Sequence, residues 1–201
     1  MTSFSPTARG QRRRTALVTA AAELIGAHGI GAVSHRAVAA AARVPLAATT
    51  YYFDSLEHLV EAGLTARAEA DVSAAHAMVH AHDARRHSPQ AVATTIIEIL
   101  AGARTPQPER LAAALGRQLA AATDPTWRPP TAAWHEGIVV ALQDLLTRTG
   151  YPGDAASAGT TLALAQGLLL DALSTTGSVD RVVSGLAAHL KARRETPGRA
   201  R

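Results

Sequence analysis

The 201-residue chain has no cysteine and few aromatic residues: two Trp, three Tyr and two Phe, 3% of the whole. Without thiols there is neither a disulfide nor a thiolate zinc site, a composition compatible with a reducing cytoplasm. Scarce aromatics leave Ala, Leu, Val and Ile to build the core, and such segments favour closely packed helices. No segment alternates apolar and polar residues long enough for a sheet, and no uninterrupted apolar run approaches 18 residues. The expectation is an all-α fold with no membrane span. The arginines near the amino terminus are not followed by the apolar stretch of a secretory signal. Glycine-rich phosphate loops, nucleophile elbows and paired-carboxylate motifs are also missing, so no enzyme, catalytic residue or cofactor is expected. His76 and His80 have the i, i+4 spacing of a helical metal pair, with His82 and His87 nearby. No HExxH pattern surrounds them, and they read as a solvated helix face rather than a metal site.

What is present is unevenly placed. Residues 1–53 hold Arg9, Arg12, Arg13, Arg14, Arg36 and Arg43 against the single Glu23, so this head carries +5 of a chain total of +4 and the remainder carries −1. A basic head on a near-neutral body points to a polyanion partner for the head alone. The competing reading is a helical small-molecule carrier or enzyme that never meets DNA, and the charge contrast argues against it. Three of the seven aromatics stand together in Thr49-Thr-Tyr-Tyr-Phe, a segment whose local propensity is that of a strand. Pro45 ahead of Leu-Ala-Ala argues instead for a helix with proline at its first position.

In chain order, residues 1–10 read as a disordered arm. Leu17, Val18, Ala21, Leu24 and Ile25 make the stripe of an amphipathic helix from Arg12 to His28. Ser34 stands as the N-cap of a short helix from His35 to Ala42, and a turn at Arg43-Val44 leads to a third helix over Pro45–Phe53. Three short helices, the last two joined by a tight turn, make a helix-turn-helix unit over 11–54. In Asp54-Ser55-Leu56-Glu57 an acid or a hydroxyl stands as N-cap, with Glu57 three residues after Asp54 much like a capping box, and a long helix runs from Leu56 to about His82. Further helices are expected from Ser88-Pro89 to Gly102, from Pro108 to Thr123, from Thr131 to Gly150, from Ala155 to Thr176 and from Ser178 to Arg194. Asp124-Pro125 and Pro129-Pro130 bracket a loop between two of them. Residues 55–194 then form an effector-binding and dimerisation domain, and 195–201 a loose tail.

This layout resembles the tetracycline-repressor (TetR) family of bacterial transcription factors, most strongly over Arg14–Leu59. The carrying segments are Ala21-Ala-Glu-Leu-Ile-Gly-Ala-His-Gly, Ser34-His-Arg-Ala-Val-Ala and Val44-Pro-Leu-Ala-Ala-Thr-Thr-Tyr-Tyr-Phe-Asp-Ser-Leu-Glu-His-Leu. The resemblance implies a cytoplasmic regulator, most simply a repressor released from DNA by a small effector. It departs from the family pattern at three places: Arg43 where glycine is usual, Pro45-Leu46-Ala47 at the start of the recognition helix, and Leu56 where a basic residue usually opens the fourth helix.

Helical geometry divides the third helix into two faces. Val44, Thr49 and Phe53 point inward, leaving Leu46, Ala47, Thr50 and Tyr51 for the major groove of double-stranded DNA. Leu46 and Ala47 suit thymine methyl groups, and Thr50 a base edge or phosphate. Tyr51 and Tyr52 suit phosphates. Arg36 is the candidate for a bidentate guanine contact, Ser34 and His35 lie at a helix N-terminus suited to phosphate, and Pro45 opens the reading helix. Arg12, Arg13 and Arg14 add backbone or minor-groove attraction. Two half-sites of a palindromic operator require a homodimer. Gly159, Ala163 and Gly167 form a small-residue row, and with Leu170, Val182, Val183, Leu186 and Leu190 they are the expected four-helix interface. An effector pocket is expected around Trp127, Trp134 and His135, with Met78, Arg117 and Gln118.

Overall fold

Helices run through the chain as the composition predicts. The computed structural model describes residues 8–83, 87–175 and 178–195. In chain order these are α1 (Ala8–His28), α2 (His35–Ala41), α3 (Leu46–Tyr52), α4 (Leu56–His80), α5 (Pro89–Ala101), α6 (Pro108–Thr123), α7 (Arg128–Arg148), α8 (Ala155–Thr175) and α9 (Val179–Glu195). Short 3₁₀ turns at Ile30–Ala32 and Pro125–Trp127 complete the set, and there is no strand among the described residues.

Local chemistry sets most of the boundaries. The Ser34, Ser55 and Ser88 hydroxyls accept from the backbone N–H groups of Ala37, His58 and Ala91 at 3.1, 3.2 and 3.2 Å, capping α2, α4 and α5. Of the two N-cap candidates, Asp54 and Ser55, it is the Ser55 hydroxyl that caps α4. α5 ends at Gly102, whose φ of 62° is the left-handed geometry that glycine supplies most cheaply. Two boundaries differ from expectation. α1 starts at Ala8, so residues 8–10 are helical, while residues 1–7 of the expected arm lie outside the described residues. Pro129 and Pro130 do not belong to a loop but to the first turn of α7. The first N–H groups of a helix have no intrahelical acceptor, so prolines there forfeit nothing. The expected stop at Gly177 and the tail beyond Glu195 lie outside the described residues.

Two apolar cores share one helix. The first joins Leu17, Ala21 and Ile25 of α1 to Val33, Val38 and Phe53, and takes Leu59, Val60 and Leu64 from the start of α4. Ala121 and Trp127, from the far side of the chain, close it. The second core gathers Ala68, Ala75 and Val79 of α4 with Ile96, Ile97 and Ile99 of α5, Ile138 and Leu142 of α7, and the inner faces of α8 and α9. A sequence boundary at residue 54/55 thus cuts through the first core, which reaches Leu64. α8 is long and apolar enough by length and composition to cross a membrane. Its Ala158, Leu162, Ala165, Leu169 and Ala172 are instead buried inside the bundle.

Close approach, not bulk, joins α4 to its neighbours. A Cβ added at Gly63 would lie 2.8 Å from the Ala21 Cβ and 3.0 Å from Ile25 Cδ1, and one at Gly137 would lie 2.5 Å from a Val72 methyl. A side chain at residue 63 would gain about 1 kcal/mol or less in helix propensity over glycine. Overpacking of a well-filled contact costs about 1–3 kcal/mol, so the clash wins. Gly63→Val is expected to lower stability by about 2 kcal/mol, measured by denaturant unfolding followed by circular dichroism.

Candidate nucleic-acid interface and effector cleft

The α2–α3 pair is held by backbone chemistry at its turn. Val44 N–H donates to Ala39 C=O at 3.0 Å and Arg43 N–H to Ala40 C=O at 3.1 Å, the two bonds of a Schellman motif. Arg43 occupies its left-handed position at φ 54°, the one non-glycine residue with positive φ among the described residues. Pro45 is the N-cap of α3 rather than its first helical residue, with φ −58° and ψ 144°. Thr49 is fully buried, Phe53 is 5% exposed and Val44 packs against the same core. On the opposite face Leu46 is 49% and Tyr51 77% exposed, with Ala47 and Thr50 exposed between them.

The other residues expected at DNA lie on α1, α2 and the end of α3. Arg36 is exposed, and Ser34 is exposed while its hydroxyl caps α2. His35 is half-buried, with Nδ1 buried and unpaired. The Thr50 hydroxyl donates to Ala47 C=O at 3.2 Å. Tyr52 is half-buried on the head core and meets Tyr51 edge-on at 4.8 Å between ring centres. Arg12, Arg13 and Arg14 are exposed along α1, and the Arg14 guanidinium stacks 5.2 Å from the Phe53 ring. At the start of α4, a backbone N–H and the Ser55 hydroxyl hold the Glu57 carboxyl below its ordinary pKa.

A cleft opens between α4, α6 and α7. Leu64 and Ala68, Arg117 and Gln118, and Pro130 and Trp134 line it, and the side chains close it to about the room of one water. Asp71, 4% exposed, accepts from Arg117 Nη2 at 2.9 Å through Oδ2 and from Arg67 through Oδ1. Burial pulls the Arg117 guanidinium below its ordinary pKa, the Asp71 carboxylate opposes that, and Arg67 adds to it. Arginine nonetheless keeps its proton in proteins.

At the other end of the bundle, Ala163, Gly167 and Leu170 of α8 are exposed, with Leu170 at 50%. A Cβ at Gly159 or Gly167 would meet nothing within 4 Å.

Residues 17–62 match the family described as bacterial regulatory proteins, tetR family. Residues 87–193 match the tetracyclin repressor-like C-terminal domain. The chain belongs to the TetR family. It is thus a DNA-binding regulator and not an enzyme. Among solved structures it is similar to the multidrug binding protein EbrR complexed with imidazole, at 29% identity over 94% of this chain and 98% of that one, TM-score 0.65. The EbrR complex with ethidium is 31% identical over 90% and 97%, TM-score 0.63. SCO7518 of Streptomyces coelicolor A3(2), a transcriptional regulator by its description, shares the fold at 23% identity over 89% and 98%, TM-score 0.63. No curated protein matches.

Of the residues expected at DNA, Leu46, Ala47, Thr50 and Tyr51 share the exposed face of α3, Arg36 is exposed on α2, Arg12, Arg13 and Arg14 are exposed on α1, and His35 and Tyr52 are half-buried. The expected pocket does not hold together. Arg117, Gln118 and Trp134 line the cleft, but Trp127 is consumed by the head core, Met78 packs on the body core and His135 is exposed. The expected dimer face also divides. Val182, Leu186 and Leu190 are at most 1% exposed and belong to the intrachain core, where α9 packs on α5, and Val183 is half-buried. Asp71 and Arg67 were missed: their i, i+4 spacing is visible in the sequence, but Arg117 lies 46 residues from Asp71. No trio of His, Cys, Asp or Glu among the described residues could hold a metal, and His82 is bonded to the Thr95 hydroxyl at 2.8 Å.

Arg43 departs from the glycine usual in this family, and its left-handed backbone carries a penalty of about 1–2 kcal/mol for a residue with a Cβ. Glycine forgoes that penalty but loses more chain entropy on folding, about 0.5–1 kcal/mol. Arg43→Gly is therefore expected to stabilise the protein by about 0.5–1 kcal/mol, read as a raised melting temperature, whereas Arg43→Lys should leave it unchanged.

Proposed function

We propose that the chain is a homodimeric repressor that binds a palindromic operator through α2 and α3 and is released by a small organic effector entering the α4–α6–α7 cleft. The observation that carries the DNA assignment is the exposure of Leu46 and Tyr51 on a helix anchored by buried Thr49 and Phe53. A helix that buries one face this firmly and leaves a leucine and a tyrosine in water has a second surface to meet.

In this reading the head is residues 11–54 and the body 55–194, with the first turns of α4 completing the core of the head. Leu46 and Ala47 contact thymine methyl groups and Arg36 reads guanine. Tyr51, Tyr52, Thr50 and the N-terminus of α2 at Ser34 and His35 hold phosphates, with Pro45 setting the entry of the reading helix. Arg12, Arg13 and Arg14 contribute sequence-independent attraction, so affinity falls steeply with salt. Leu56 supplies no phosphate contact where the family pattern has a basic residue. The regulator acts in the cytoplasm, with its DNA.

The EbrR complexes with imidazole and ethidium support a small organic effector for this chain. An effector wedged between α4 and α6 would shift α6, which packs on α1. The two heads of a dimer would then no longer match the half-site spacing, lowering DNA affinity. The open row of Gly159, Ala163 and Gly167, with Leu170, supports α8 as the two-fold contact, completed by Val183 of α9.

Binding of the purified protein to the DNA flanking its own gene, measured across a salt series, tests the first half. Saturable binding that needs both half-sites is expected, and weak, sequence-indifferent binding would refute the DNA-face assignment. Arg36→Ala should cost about 1–3 kcal/mol and relax preference at one base position, whereas Tyr51→Phe should weaken all sequences alike. For the second half, Gly167→Arg places a long cation in open space, so the fold is expected to survive while sedimentation shifts from dimer to monomer. A dimer that persists would place the interface elsewhere.

A further inference from the structure

Helices α4 and α6 meet through three charges that do not cancel. Asp71 accepts from Arg67 through Oδ1 and from Arg117 Nη2 through Oδ2 at 2.9 Å, so both its oxygens are engaged. Among the described residues neither arginine has another carboxylate partner, so two positive charges stand against one negative. The group is shielded as well, with Asp71 4% and Arg117 8% exposed. A buried charge is costly unless something of opposite sign meets it. Donors are also left over. Arg117 gives one nitrogen to Asp71 and has no other acceptor among the described residues, and Arg67 Nε is buried with none. Burial lowers the Arg117 pKa, Asp71 offsets part of that, and Arg67 adds to the fall.

The space beside Arg117 fixes the size of what can answer this charge. The cleft has about the room of one water, between the apolar walls of Leu64, Ala68 and Trp134. A carboxylate or phosphate is too large for it. A water fits and can accept from the unused donors, but it carries no charge. We propose that the cleft holds a single halide ion, chloride in ordinary solution, on the donors of Arg117 that Asp71 leaves unused. Gln118 lines the same space and brings an amide that can donate to the ion, while Arg67 acts on it through charge alone.

Two groups work the other way. Thr131 lines the cleft with its hydroxyl proton committed to Trp127 C=O at 2.7 Å, so it turns only lone pairs to an occupant. That is a neutral dipole, and bonds to an ionised partner are about twice as strong as neutral ones. Glu69 stands on the groove outside, where it is exposed and screened by water and salt. The buried arginine therefore decides the sign. A halide here completes the joint between α4 and α6, next to the head: a Cβ at Gly26 of α1 would lie 2.6 Å from Arg67 Nη1. The site does not depend on the cleft being the effector entrance, although an effector that entered would have to expel the ion.

The test compares thermal melting of the full-length protein in sodium chloride, bromide and gluconate, mixed to a constant ionic strength of about 0.1 M so that screening is the same in each. An ion that binds only the folded chain raises its melting temperature and saturates. Chloride and bromide are each expected to add about 3 °C over gluconate, which is too large for the cleft. Crystals grown in sodium bromide should show an anomalous peak beside Arg117. Arg117→Gln should abolish the difference between chloride and gluconate, whereas Arg104→Gln, at an exposed arginine, should keep it. Coincident chloride and gluconate melts, or a cleft that holds only water in the bromide crystals, would overturn the proposal. A bromide peak with no change in melting would mark an adventitious ion only and overturn it equally. A chloride effect that survives Arg117→Gln would place the ion elsewhere. The wild-type melts and the bromide map decide the matter even if Arg117→Gln does not fold.

Discussion

Helix α4 is held on two sides at contacts where only a hydrogen atom fits, Gly63 against Ala21 of α1 and Gly137 of α7 against Val72. At such contacts the backbones approach closely, and neither helix can slide without losing dispersion contacts along its length. The consequence is that one rod serves two cores. Leu59 and Leu64 at its start complete the head, and Ala75 and Val79 further along complete the body. Trp127 and Ala121 reinforce the joint from the other direction by entering the head core from the end of α6 and the turn after it. A displacement in the body is therefore delivered to α1 through packed side chains, not through a flexible linker.

Electrostatics sit at the middle of that rod. Burying Arg67, Asp71 and Arg117 together removes three charges from water, and a buried ion pair seldom adds net stability over an apolar replacement. What such a group does supply is specificity of arrangement: Asp71 can satisfy both arginines only if α4 and α6 keep their present register. The placement of Arg67 over Gly26 and Gly102 sets that register against α1 and the end of α5. The charged group and the glycine contacts thus constrain the same joint, one by direction and the other by distance.

The α2–α3 pair is assembled by shorter-range means. A Schellman turn with a strained arginine joins α2 to α3, and the buried Thr49 hydroxyl folds back onto Leu46 C=O at 2.7 Å. Tyr51 and Tyr52 stack edge to face, so the exposed phenol is steadied by its half-buried neighbour. Strain at Arg43 is tolerated because two backbone bonds and the Val44 contact with the core determine the turn independently of the side chain.

The sequence by itself determined the helical class, the order of elements and which face of α3 is left exposed. These depend on periodicity, serine caps and glycine stops, which act within one or two turns of chain. Ser34 and Ser88 cap their helices as the sequence predicts, and Leu46, Ala47, Thr50 and Tyr51 share the exposed face expected from a 3.6-residue repeat. Local rules also produced the errors of a residue or a few, at Ala8, Pro45 and Pro129-Pro130, where a neighbouring residue satisfies the same rule. Only the tertiary structure decided which apolar residues were inside the chain and which polar residues met. Trp127 and Trp134 lie seven residues apart yet belong to different cores, and Val182, Leu186 and Leu190 are buried in the core of their own chain. Asp71 finds Arg117 across 46 residues because two helices cross there. Apolar periodicity tells a helix to bury one face, and the partner that covers it is chosen by the whole bundle.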